Sequence, residues 1–264
     1  MCMKKMAGGF LVVLLVITCF LTRSWAEEVT PQAGQGADAW TQAQALIDKG
    51  GVENCKKALD MCLALVQKDP GGYRANWMAA QACREYGLAV KKSEAGGWEK
   101  ICKEYGKKGM TYAEKAIAID PSKVQGYYWY GTSVGIYSDG VSILTALKEG
   151  LKDKTQKSFE TAYKIDKTYD KAGAVGALGR FWQVLPWPLN DNDKAIGYYR
   201  EYQKTKFYND PDTVEIRIYL AELLMKGRKT KDEAKTLLNE AIKITDASGD
   251  RYWNKRAKEL MADM

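Results

Sequence analysis

Small and apolar residues recur along the chain at steps of four and then three positions, with a helix-stopping residue five positions later. Such steps place side chains on one stripe of an α-helix, where small residues let a neighbouring helix approach closely. Strand-like alternation is scarce and the few prolines fall between apolar stretches, so the pattern predicts an all-α fold. The stripes and their stops are Ala58, Cys62, Leu65 and Pro70; Gly109, Ala113, Ala116 and Pro121; Ala195, Tyr199 and Tyr202; and Ala234, Leu238, Ala241 and Asp246.

A partner pattern, a large apolar or aromatic residue beside a small one, precedes several of these stripes. It occurs at Tyr130-Gly131, Leu178-Gly179 and Leu220-Ala221. Over residues 37–247 the two patterns together resemble the tetratricopeptide repeat (TPR), a helix pair of about 34 residues. The resemblance implies one TPR-like α-solenoid domain, residues 37–264, with about five helix pairs. The amphipathic stretch 249–264 is predicted to be a C-terminal capping helix.

The repeat spacing is irregular, which predicts insertions within the helix pairs. Pro70 and Pro121 are 51 residues apart, well beyond one standard repeat. We expect one insertion in residues 88–107 and a second in residues 138–153. Both fall between the two helices of a pair, so they are expected to project from the same edge of the solenoid.

The N-terminal residues have the organisation of a secretion signal. Lys4 and Lys5 precede an apolar run at residues 10–21, and Ser24-Trp25-Ala26 places small residues where a signal peptidase cleaves. We therefore expect a signal peptide at residues 1–26, a flexible segment at 27–36 and an exported, periplasmic protein. Lipoprotein anchoring through Cys19 is the alternative, although the Thr before this cysteine fits a lipobox poorly.

Composition and charge argue against an enzyme and against nucleic-acid binding. The chain of 264 residues contains no His, which excludes Ser-His-Asp and Cys-His nucleophile systems and His-ligated metals. Asp191 and Asp193 adjoin a helix start and are expected to cap it. No cofactor or metal is expected. The net charge of +7 falls to +4 without residues 1–26, and no basic cluster is interleaved with aromatics.

Four cysteines remain beyond the signal segment, an even number that permits disulfides in an exported protein. The alternative is that they are free thiols packed in the core, as the position of Cys62 on an apolar helical face favours. A CxxC motif is absent, so a redox or zinc site has no support. The four are Cys55, Cys62, Cys83 and Cys102.

Residues 170–202 are the most distinctive part of the chain. Gly173, Gly176 and Gly179 step along a predicted helix at a cost of about 1 kcal/mol each relative to Ala, which predicts close helix crossings. Leu185-Pro186-Trp187-Pro188-Leu189 then ends the helix in a stiff, extended segment. This stretch resembles the TatT family, the TPR component of periplasmic TRAP transport systems. The matching elements are Ala177-Leu178-Gly179-Arg180, Leu185-Pro186 followed by Pro188, Lys194-Ala195-Ile196 and, upstream, Trp129-Tyr130-Gly131.

The resemblance implies a non-catalytic adaptor that engages a TRAP-type periplasmic substrate-binding protein. It also implies a small apolar or carboxylate ligand in the concave face or pore, and a homo-oligomer such as a trimer. A general envelope scaffold that binds peptide segments is the alternative function. Arg180 is suited to bind a carboxylate or to stack on an aromatic ring. Trp187 is either exposed for recognition or a wedge that fills its loop. For the candidate tyrosines, the alternative to ligand binding is packing between repeats. The candidate ligand- or partner-binding residues are Tyr127, Tyr130, Tyr137, Arg180, Trp182 and Trp187.

Overall fold

The computed structural model describes residues 33–264, and this part of the chain contains twelve α-helices and no β-strand. The predicted signal peptide lies outside the described residues. Helix α1 begins at Ala33, within the segment 27–36 that was expected to precede the solenoid. The helices are α1 Ala33–Lys49, α2 Val52–Lys68, α3 Tyr73–Lys92, α4 Trp98–Ile119, α5 Val124–Val141, α6 Ile143–Lys148, α7 Leu151–Ile165, α8 Tyr169–Val184, α9 Asn192–Gln203, α10 Glu215–Leu224, α11 Lys231–Ser248 and α12 Arg251–Ala262.

The helices form five antiparallel pairs followed by one capping helix, which confirms the predicted all-α solenoid. The pairs are α3 with α4, α5 with α7, α8 with α9 and α10 with α11, preceded by α1 and α2, which share an apolar cluster around Ala43 and Leu59. Each pair packs on the next, so every helix contacts mainly its neighbours in the chain. The final helix, α12, buries Trp253, Ala257 and Leu260 against the last pair and closes the apolar end of the stack.

The two insertions take different forms, and the first is not a projecting loop. It lengthens α3 and α4, with a short turn at residues 93–97 between them. The added length stays packed on α5 because glycines permit close contact: a Cβ at Gly106 would lie 2.5 Å from the Tyr137 nitrogen, and one at Gly140 would lie 2.3 Å from the Lys103 nitrogen. The second insertion forms the short helix α6, which begins at a side-chain cap by Ser142.

The core is continuous along the solenoid. One apolar cluster joins α1, α2 and α3 around Leu59 and Met78, a second joins α3 through α8, and a third joins α8 through α12. Side chains at the boundaries belong to two clusters at once: Tyr112 packs on the first and second, and Tyr163 and Trp182 pack on the second and third. This is the quasi-linear core expected of a repeat protein.

The predicted close helix crossings are present at all three glycines of α8. A Cβ at Gly173 would lie 2.3 Å from Oη of Tyr128 on α5, and one at Gly176 would lie 2.7 Å from Cδ1 of Ile216 on α10. A Cβ at Gly179 would lie 2.4 Å from the Tyr199 ring on α9. Because these three glycines lack a Cβ, side chains of α5, α10 and α9 pack directly against the backbone of α8.

The four cysteines are free thiols buried in the core. Of the two possibilities left by the sequence, the structure has the packed thiols. Burial raises the pKa of Cys55 and Cys102 to about 11 and that of Cys62 and Cys83 to about 12, so these thiols stay protonated at neutral pH.

The C-terminal end of the solenoid reaches back to the second helix pair. Lys92, at the end of α3, donates to Asp250 at 3.0 Å, and its ammonium lies 5.6 Å from the centre of the Trp253 ring. Lys255 on α12 donates to Glu94 at 2.8 Å. We call these contacts the α3–α12 clasp. The superhelix therefore coils far enough to enclose an inner surface.

Candidate functional site

The first helices of the second to fifth pairs, α3, α5, α8 and α10, face the inside of the coil together with α12. Hydrogen bonds from Lys92 at the end of α3 to Asp250 before α12, and from Arg180 on α8 and Arg256 on α12 to Glu222 on α10, show that these helices approach one another across the coil. Burial raises the pKa of Glu215 on α10, whereas the charges of Lys92 and Arg84 on α3 lower it. These charges act on Glu215 although two helix pairs separate α3 from α10 in the chain. We call the surface formed by α3, α5, α8, α10 and α12 the inner surface.

One polar cluster on the inner surface joins α8, α10 and α12 around the carboxylate of Glu222. Gln183 donates to Glu222 at 3.0 Å, Arg180 donates to it at 3.4 Å, and Arg256 donates to its other oxygen at 2.6 Å. The Arg180 guanidinium also lies 4.2 Å from the centre of the Tyr219 ring, a cation–π distance. We call these five residues the Glu222 cluster.

The side chains of the Glu222 cluster are ordered by neighbours but remain open to solvent. The Arg180 side chain is 41% exposed and that of Glu222 is 26% exposed. Burial alone would lower the pKa of Arg180, but Tyr219 and the other groups around it raise the pKa overall, so the guanidinium stays charged. Burial raises the pKa of Tyr219, which keeps its phenol protonated. The cluster therefore presents a fixed pattern of donors and aromatic faces.

A second polar group lies where α3, α5 and α8 meet. Arg84 donates to Glu85 at 2.7 Å. The charge of Arg84 lowers the pKa of the buried Tyr128 phenol, and that of Glu85 raises it. Burial raises the pKa of Tyr128 well above its usual value, and its hydrogen bond with Asp170 and the charge of that residue raise it further. Burial would lower the pKa of Arg84, but Glu85 and Tyr128 raise it overall. This group therefore combines one cation, Arg84, with the carboxylates of Glu85 and Asp170 around a protonated phenol.

Asp170 lies in a strained turn at the start of α8. Asp170, Lys171 and Ala172 have φ values of 49°, 56° and 60°, in the left-handed region that costs non-glycine residues about 1–2 kcal/mol each. Three contacts hold the turn: Lys171 donates to Asp210 and to Asp212 at 2.8 and 2.7 Å, and Tyr202 donates to the Lys171 carbonyl at 2.7 Å. The strained backbone directs the Asp170 carboxylate to Tyr128.

Residues 33–264 contain no candidate metal site. No group of three or more Cys, Asp or Glu side chains in that range is arranged to hold a metal ion. Asp191 caps α9 by accepting from the Lys194 amide at 2.9 Å, as the sequence predicts. Within the same range, no helix has the length and apolar character needed to span a bilayer.

Comparison with known families identifies the chain. The sequence model of the family described as Regulator of microtubule dynamics protein 1-3 matches residues 39–182, more than half of the chain. The chain belongs to this family. No curated protein sequence matches this family member significantly.

Solved structures place this member of the regulator of microtubule dynamics family among TPR folds. It is similar to a thermophilic TPR protein of Thermus thermophilus, with a TM-score of 0.62 and 16% identity over 86% of this chain and 99% of that one. It is also similar to the PilF protein of Pseudomonas aeruginosa, with a TM-score of 0.52 and 15% identity over 87% of this chain and 98% of that one. At these identities the likeness establishes the TPR fold and nothing finer.

The structure separates the candidate residues predicted from the sequence. Tyr130 and Tyr137 are buried in the core of this family member, where Lys154 lies over the Tyr130 ring and Tyr137 donates to Glu149. Tyr127 is half-buried against the same cluster. All three therefore pack between repeats, the alternative that the sequence left open for them.

The remaining candidates lie on or near the end of α8. Arg180 belongs to the Glu222 cluster on the inner surface. Trp182 is half-buried, edge-on to Phe181 and beneath the Lys194 ammonium, 4.2 Å from the ring centre. Trp187 is 87% exposed, so it is not a wedge that fills its loop. Arg180 and Trp187 alone are open to a large partner.

Sequence reasoning missed most of the inner surface. Tyr219, Glu222 and Arg256 follow Arg180 by 39 to 76 residues, and no local motif links them to it. Only the superhelical twist brings α8, α10 and α12 together. The one signal in the sequence is that these polar residues lie on α10 and α12, helices that face the inside of the coil. Polar residues are common on every solvated helix face, so this signal does not single out these three.

Proposed function

We propose that this protein is a non-catalytic scaffold of the cell envelope that binds a partner protein through its inner surface. The observation that carries the proposal is the Glu222 cluster. Arg and Tyr are the side chains that most often dominate binding energy at protein interfaces. Here Arg180 and Tyr219 are already held in place by neighbouring helices, so binding costs little side-chain ordering.

We further propose, from the sequence resemblance, that the partner is a TRAP-type periplasmic substrate-binding protein. Arg180, which belongs to the most distinctive matching block, lies on the inner surface and supports this assignment. Its long contact with Glu222 engages one of five N–H donors of the guanidinium, which leaves donors for a carboxylate of the partner or of a small ligand. A homo-oligomer such as a trimer would place several inner surfaces on one assembly.

The test is capture of the partner from the envelope of the parent cell by the tagged full-length chain, with the Arg180→Ala variant beside it. We expect the variant to retain about tenfold less partner, the loss typical of an interface hot spot. Arg200→Ala is the matched control, because Arg200 pairs with Glu233 between the outer helices α9 and α11 with a similar exposure of 37%. Equal loss in both variants, or capture of no partner by the wild type at any salt concentration, would contradict the proposal.

The family match favours a second candidate function. The family description refers to microtubule dynamics, and microtubules are acidic, whereas this chain carries a net charge of +7, or +4 without residues 1–26. If this function holds, the protein sediments with purified microtubules in a salt-dependent manner. Co-sedimentation that is lost in Arg180→Ala would assign that binding to the inner surface as well.

A further inference from the structure

One edge of the solenoid combines exposed apolar side chains with unpaired cations. The edge consists of the connections between the two helices of the last three pairs: residues 142–150, 185–191 and 225–230. We call it the connection edge. Leu185 lies in the same core cluster as Leu147 of α6, and Gln183 near the end of α8 bonds to Tyr219 and Glu222 near the end of α10. The three connections therefore start from adjacent helix ends.

The apolar part of the connection edge protrudes. Trp187 is 87% exposed, Leu144 is 56% exposed and Leu189 is 42% exposed. Prolines on both sides of Trp187 restrict the backbone, so the indole is presented on a stiff segment. A protruding aromatic on a restricted backbone loses little conformational entropy when it is buried by a partner.

The cationic part lies in the next connection along the solenoid. Lys226, Arg228 and Lys229 are exposed, and none of the three forms an ion pair with another described residue. Carboxylates on this edge are largely engaged: Asp191 pairs with Lys194 at 3.2 Å, and Glu149 accepts from Tyr137. The three connections contain four cations, Lys148, Lys226, Arg228 and Lys229, against the two carboxylates of Glu149 and Asp191, so the edge is positive overall.

This combination suits a lipid surface better than a folded protein. Tryptophan favours the headgroup level of a bilayer, and clustered Lys and Arg are attracted to anionic lipids. The apolar groups are separate protruding tips, which insert into a fluid layer without needing a complementary pocket. The Glu222 cluster differs from this edge, because its charges are paired and held in fixed positions, which suits a folded partner of complementary shape.

We propose that the connection edge docks the protein on an anionic membrane surface, with Trp187 inserted at headgroup level and Lys226, Arg228 and Lys229 on the lipid phosphates. This role is independent of the inner surface. It orients the solenoid with the connections toward the bilayer and leaves the inner surface accessible from the side.

The experiment is flotation with vesicles of phosphatidylcholine, with or without phosphatidylglycerol. It uses residues 27–264, which omit the N-terminal apolar run and contain the whole compact unit 34–264 with its own core. We expect binding to the anionic vesicles alone. Trp187→Ala should weaken it about tenfold. The triple variant Lys226→Gln, Arg228→Gln, Lys229→Gln should weaken it by more than tenfold and flatten its salt dependence.

A matched control removes three exposed lysines from the opposite edge, where second helices connect to the next pair. The variant Lys123→Gln, Lys204→Gln, Lys206→Gln should bind the anionic vesicles as the wild type does. In Trp187→Phe, the fluorescence quenched by brominated lipids should fall, because the inserted indole is missing.

Three outcomes would overturn the proposal. The first is no binding to anionic vesicles, and the second is equal weakening by the control triple variant. The third is unchanged binding and quenching in the Trp187 variants, which would mean charge-driven adsorption without insertion. Tight binding of soluble polyglutamate through the same residues, with no vesicle binding, would instead assign the edge to an acidic protein.

Discussion

Gly179 is the position where one added methyl group should tell most about how the solenoid is held together. A Cβ there would lie 2.4, 2.7 and 2.9 Å from three atoms of the Tyr199 ring. The ring cannot move aside easily, because Tyr199 is fully buried and its hydroxyl donates to Gln183 at 2.6 Å. The substitution Gly179→Ala therefore forces α8 and α9 apart.

The magnitude follows from two opposing terms. Overpacking a well-packed core typically costs about 1–3 kcal/mol, whereas replacing a helical Gly by Ala recovers about 1 kcal/mol. The 2.4 Å contact with a fully buried ring puts Gly179→Ala in the upper part of the overpacking range, about 2–3 kcal/mol, so we expect it to lower the free energy of unfolding by about 1–2 kcal/mol. Gly176→Ala is the matched control, since the one close contact of its Cβ would be the terminal methyl of Ile216, at 2.7 Å, and that group can rotate. The control should be close to neutral.

Urea unfolding followed by helical circular dichroism measures both effects. A double-mutant cycle with Tyr199→Leu tests the cause, because the cost of Gly179→Ala should largely vanish once the ring is absent. Three results would refute the reasoning: wild-type stability in Gly179→Ala, equal losses at Gly176 and Gly179, or an undiminished cost in the Tyr199→Leu background.

Three further predictions concern the thiols, the inner surface and the clasp. Native residues 27–264 should resist a thiol reagent at pH 8 and show four reactive thiols after denaturation without reductant; a lower count would reveal a disulfide. Burial raises the pKa of Glu215, so its ionisation destabilises the folded protein as the pH rises above the usual value of 4.5. Glu215→Gln should therefore be more stable than wild type at pH 7, and this gain should fade below pH 4.5. Thermal unfolding across this pH range measures the difference. In the clasp, Glu94→Lys should speed hydrogen exchange in α12 by about 1.5- to 5-fold, and the swap with Lys255→Glu should restore it at low salt. Unchanged exchange in Glu94→Lys would show that the clasp does not hold α12.

The fold was predictable because its signals are local. A Gly in a helix costs stability unless something packs against it, so the steps at Gly173, Gly176 and Gly179 already indicated crossings before their partners were known. The form of the first insertion was not predictable, since the sequence gives extra length but not whether that length continues a helix. Gly140 decides it by admitting the backbone of α4, a contact 37 residues away in the chain.

The family match covers only part of the inner surface. The matched residues 39–182 end near the end of α8, so they include Arg84, Tyr128 and Arg180. Glu222 and Arg256, which hold the Arg180 side of the inner surface in place, come from α10 and α12 beyond the match. The basic connection at residues 225–230 also lies beyond it. Because a binding surface selects its partner through all the groups that form it, residues 183–264 should set what this protein binds together with Arg180 of the matched region.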